Sequence, residues 1–236
     1  MTPGPTLAQR LTAEALGTAI LLATVVGSGV MSERLSGGIA GLALLGNTLP
    51  TGAILIVLIT MLGPISGAHF NPVVTLTFAV KGDLSHKSAI SYALAQIIGA
   101  AIGVFAAHAM FDLPLLQASV KTRAGMAQGF SEFIATFGLV TTILLTLRAK
   151  PNAVAASVGL YITSAYWVTA STSFANPAVT LARAFTDTFA GIRIVDVPLF
   201  VAAQVAGALT ALAVARFLTA SQRACGCAPT CCAPSK

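Results

Sequence analysis

"HFNPVVTL" runs from His69 to Leu76, and "FANPAVTL" runs from Phe174 to Leu181. The second stretch nearly copies the first, 105 residues later when Asn71 is matched to Asn176. A single Asn-Pro is ordinary turn punctuation. Here each pair opens an apolar piece, 71–80 or 176–185. Pro72 and Pro177 suit the first position of a helix, where no N–H is needed, and Asn71 and Asn176 are good N-caps. A helix of that length reaches about 15 Å, half of a bilayer's hydrocarbon core. The spacing therefore predicts two short helices that begin abruptly inside an apolar region.

Composition gives the setting. The 236 residues are 56% hydrophobic and only 8% charged, against roughly 25% charged in a soluble domain. Such a chain belongs in a bilayer, in contact with lipid. Stretches 11–31, 42–63, 88–110, 126–147, 153–171 and 197–219 are each long enough to span it. The net charge of +6 forms no basic cluster, so no nucleic-acid partner is expected. The opening "MTPGPTLAQR" lacks the layout of a signal peptide.

Outside the two half-length pieces the duplication continues. "AEALGT" with Glu14 opens the first span and "SEFIAT" with Glu132 opens the fourth. "ALAQIIGAAIG" with Gln96 lies in the third span and "VAAQVAGALTAL" with Gln204 in the sixth. The chain divides into a first repeat, 1–110, a second, 126–219, and a cysteine-rich tail, 220–236. Each repeat holds three spans, an odd number, so the second enters from the opposite face. The predicted fold class is an all-α membrane protein with six transmembrane helices, two re-entrant half-helices and an inverted repeat.

Inversion brings the two Asn-Pro ends to the midplane. Irregular backbone at that depth must be buried in protein or line a water-filled cavity, and two such ends imply a pore. A helix N-terminus carries about half a positive charge. At an effective dielectric of 20, a cation 4 Å away meets about 2 kcal/mol of repulsion from each end. A small neutral solute meets none, and the amides of Asn71 and Asn176 can donate to its oxygens. Pro72, Val73, Pro177 and Ala178 complete the expected pore midpoint.

Glu14, "SGAHFNP" (66–72), Gln96, Glu132, "NPAV" (176–179) and Gln204 together resemble the aquaporin, or major intrinsic protein, family, over nearly the whole chain up to about residue 219. The resemblance implies one pore per subunit and a homotetramer. No nucleophile–base set or compact metal site lies in the spans, so no enzymatic activity is expected and no cofactor is called for. Two departures matter. Val73 stands where the family usually has Ala. Val179 stands where it usually has the Arg of the outer constriction. Arg183, four residues on, is read as lying one turn deeper and is given no filter role. The remaining filter positions align with Thr51, Ser173 and Ser164, with Tyr166 and Trp167 as neighbours that challenge Ser164. Four small filter residues imply an opening broader than a water pore, passing glycerol- or urea-like solutes or metalloid hydroxides such as arsenite. A water-selective pore is the alternative within the class.

Glu14 and Glu132 admit two readings. They could support the re-entrant loops through hydrogen bonds, or carry protons in a proton-coupled transporter. His69 is placed at the cytoplasmic mouth, either lining the pore or packing the loop. Basic residues at the connecting segments favour cytoplasmic termini in a cell inner membrane. Cys225, Cys227, Cys231 and Cys232 make the tail a candidate soft-metal or metalloid site. A metalloid-sensing role for the tail is a third reading.

Overall fold

The computed structural model describes residues 4–224, and within them the chain is helical. Helix α1 is Leu7–Leu35, α2 Ala40–Ser66, α3 Pro72–Lys81 and α4 His86–Met110. Then come α5 Met126–Ala149, α6 Val154–Val168, α7 Pro177–Ala182 and α8 Val197–Ala224.

Local chemistry sets the ends. Thr6 caps α1 through a capping box with Gln9. Ser85 caps α4 by accepting from the Ser88 N–H. Gly67 closes α2 and Gly82 closes α3 at φ 89° and 95°, left-handed angles that glycine adopts without a Cβ penalty.

Among the described residues five helices are long and apolar enough to cross a membrane, against the six spans expected. The exception is α6, with 15 residues. A 3-10 turn over Pro151–Ala153 leads directly into it, and the two together rise about 28 Å. The helix stops before Thr169 because the chain turns there into the loop that leads to Asn176. The second half-length piece is also composite: α7 has 6 residues and continues as a 3-10 turn over Arg183–Phe185.

The two halves pack in matching pairs. α1 lies against α4 and α2, as α5 lies against α8 and α6. α3 and α7 sit between α4 and α8 and touch each other. Close crossing needs missing side chains. A Cβ on Gly99 or Gly103 would overlap the backbone carbonyl of Ala15 or Ala19 in α1, and one on Gly207 would crowd that of Phe133 in α5. On the outside, Ile90, Leu94, Ile98 and Ile102 form an exposed stripe at four-residue spacing along α4, the face a bilayer would cover.

Candidate pore

The short helices meet end to end. Asn71 caps α3 by accepting from the Val73 N–H at 3.0 Å, and its amide donates to the Ala175 carbonyl at 2.7 Å. Asn176 caps α7 by accepting from the Ala178 N–H at 2.9 Å, and its amide donates to the Phe70 carbonyl at 2.8 Å. Each Asn therefore ties its own helix start to the opposite loop. One amide N–H of each remains free of these bonds, and both side chains line a common cavity.

The approach to each Asn is strained in the same way. Ala68 and Phe70 have φ of 51° and 49°, and Ser173 and Ala175 have φ of 50° and 47°. Left-handed backbone at non-glycine residues persists only where surroundings over-determine it. Here the restraint comes from buried carboxylates. Glu14 accepts from Ser66 Oγ and the His69 N–H on one oxygen, and from the Phe70 N–H and Gln96 Nε2 on the other, all within 2.9 Å. Glu132 accepts from the Phe174 N–H on one oxygen and from the Ala175 N–H and Gln204 Nε2 on the other, again within 2.9 Å. Gln96 and Gln204 each reach on to a helix threonine, Thr75 and Thr180. All four Glu and Gln side chains are fully buried.

The cavity holds about 110 Å³. Most of its wall is apolar, with Leu21, Val25, Leu55, Leu139 and Val158 among its members. Polar groups are few: Thr51, His69, Asn71, Ser173, Asn176, with Tyr166 and Arg183. Pro72, Val73, Pro177 and Ala178 are not among the residues that line the cavity. Val73 instead packs on Val140, Ala208 and Ala211. His69 lines the cavity and is also packed, stacked on Phe78 with ring centroids 4.8 Å apart and with Nδ1 3.1 Å from Thr75 Oγ1.

Thr51, Ser173 and Val179 all line the cavity. Ser164 does not join them. It is exposed, while Ile162 and Tyr166 face the cavity and Trp167 is exposed as well. The set is therefore not uniformly small. Arg183 also lines the cavity. Because α7 runs from the midpoint toward the face opposite the termini, Arg183 lies one turn nearer the mouth than Val179, not deeper.

Arg183 Nε donates to the Ala190 carbonyl, and its guanidinium carbon lies 3.4 Å from the Phe174 ring centre. A second cation, Arg123, stands 4.9 Å from the same ring. Its Nε donates to the Gly191 carbonyl at 2.8 Å and its Nη1 to the Ser171 carbonyl at 2.9 Å. Burial lowers the Arg123 guanidinium to about 10, so it remains charged at neutral pH. Neither arginine was picked out by motif. The signal available for Arg183 was a lone cation in an apolar stretch, four residues from Val179 on the same helical face. The cysteines Cys225, Cys227, Cys231 and Cys232 lie outside the described residues.

Two capped half-helices meeting in a cavity between apolar spans are the parts of a membrane channel. Comparison with known proteins agrees. The profile of the Major intrinsic protein family matches residues 3–164 and 145–235. Aquaglyceroporin AqpS of Rhizobium meliloti is 58% identical over 212 residues, covering 90% of this chain and 91% of that protein. Probable aquaporin AqpM of Archaeoglobus fulgidus is 28% identical, covering 87% and 95%. The X-ray structure of the aquaglyceroporin from Plasmodium falciparum superposes with a TM-score of 0.66 at 22% identity, covering 90% of this chain and 95% of that one. This chain belongs to the major intrinsic protein family. It is an integral membrane channel for small solutes and not an enzyme.

Proposed function

We propose that the channel passes uncharged polar solutes larger than water, of the glycerol and urea class, down their gradients. The observation that carries this is the mixed lining of the cavity: Val179, Ile162 and Leu55 offer apolar contacts, while Thr51, Ser173 and the asparagine amides offer polar groups. A polyol in an extended pose has a CH edge for the first and hydroxyls for the second. Val179 in place of a long cationic side chain leaves room beside Thr51 and Ser173. The similarity to an aquaglyceroporin over most of the chain supports the same reading. A neutral metalloid trihydroxide such as arsenite has comparable size and hydroxyl chemistry, and belongs in the same panel.

On this reading 1–110 and 126–219 are inverted repeats, Asn71 and Asn176 form the pore midpoint, and Thr51, Ser173 and Val179 belong to the filter. His69 faces the inner mouth, and Glu14 and Glu132 brace the loops. The matching bonds of the two carboxylates support the last assignment. Cytoplasmic termini and a homotetramer complete the arrangement, resting on the charge bias and the family resemblance. Stopped-flow light scattering on proteoliposomes tests the central point. Glycerol and urea should equilibrate several times faster than in empty vesicles, with arsenite and water run in parallel. Water flux without glycerol or urea flux would reject the proposal in favour of a water pore.

A further inference from the structure

The two arginines beside Phe174 are used differently. Arg123 spends its Nε and Nη1 on loop carbonyls that hold residues 171 and 191 in place. Arg183 is 1% exposed and lines the cavity, yet its Nη1 is buried with no protein partner. Ser173 Oγ, on the same wall, is also buried and unpartnered. Among the described residues the ion pairs are Lys81–Asp83 and Arg193–Asp196, so no carboxylate is in ion-pair contact with Arg183. Stacking on Phe174 and the bond to the Ala190 carbonyl hold its plane. Such stacking suits a guanidinium and not an ammonium. A buried donor left without a partner is costly and calls for an explanation. A small shift of the side chain toward the cavity it lines lets a solute oxygen supply the missing acceptor.

We infer that Arg183 is the specificity-determining cation of the outer constriction. It donates from Nη1 to a hydroxyl or carbonyl oxygen of the passing solute, with Ser173 as the second contact, and it repels cations before they reach the midpoint. The inference rests on the channel reading above and deepens it. The fixed charge absent at Val179 is restored four residues on, in the 3-10 turn that continues α7.

The test reads two fluxes in the same proteoliposomes: glycerol by light scattering, and protons by an entrapped pH dye under an imposed gradient. Wild-type glycerol flux alone decides the channel reading. The ratio of proton leak to glycerol flux decides the role of Arg183. Arg183→Gln should raise that ratio about tenfold by removing a charge from a low-dielectric site, and Arg183→Lys should raise it much less. Val179→Glu keeps Arg183 in place and sets a carboxylate one turn below it, so it should raise the ratio well above the Val179→Gln control. A ratio in Arg183→Gln within twofold of wild type would overturn the inference. Should Arg183→Gln vesicles conduct no glycerol, equal ratios in Val179→Glu and Val179→Gln would overturn it instead.

Discussion

Glu132 and Glu14 carry the tightest demands in the molecule. Each is a buried carboxylate whose acceptor capacity is taken up by loop N–H groups and a glutamine. Glu132→Gln keeps the shape and turns one acceptor into a donor facing a donor. We expect a loss of about 2–3 kcal/mol, the cost of an unmade buried bond to a charged group, read as a lower apparent Tm in detergent. An unchanged Tm would show that the loop holds its own conformation. Val179→Arg places a long cation in the cavity and should cut glycerol flux by about tenfold or more while reducing water flux less. Equal losses for both solutes would mean that Val179 does not set solute size. At this scale the asparagines and the Glu–Gln sets were legible because the duplication marks them. Ser164 was misplaced because a two-residue error on a helix turns a side chain by about 200°. Arg183 was misread because its direction along α7 decides whether a later residue is deeper or shallower, and sequence alone did not give that direction.

The elements follow from a few local rules. The two half-helices could be read from Asn-Pro and length, and the long spans from apolar runs. The short α6 was overestimated by three residues at its end, because "TAS" after Val168 is apolar enough to continue a span but turns into the loop instead. The helix crossings were legible only as a sprinkling of glycines. Structure shows which of them matter. Gly99→Val would push a branched side chain into the Ala15 carbonyl and should cost about 1–3 kcal/mol by overpacking. Gly41, with open space around it, should tolerate alanine. Both can be checked by the fraction of protein eluting as a single species after detergent extraction. Similar behaviour of the two variants would mean that the α1–α4 crossing is not tightly packed.

For the whole molecule, every group assigned to the solute path lies between residues 10 and 185, well short of the cysteine tail. Removal of residues 225–236 should therefore leave glycerol flux unchanged in vesicles, and a loss of flux would give the tail a part in conduction. Composition alone placed the chain in a membrane, and the repeat alone required inversion. The chemistry around Phe174 was not legible, because it depends on a contact between that ring and two arginines from different segments. The account as a whole describes an open path, with no step that must be driven. Its most direct test is the initial rate of glycerol entry into proteoliposomes against glycerol concentration, with and without a pH gradient. The account predicts a rate proportional to concentration and indifferent to the gradient. A rate that saturates and rises with inward proton drive would contradict it, and would return Glu14 and Glu132 to the role of proton carriers.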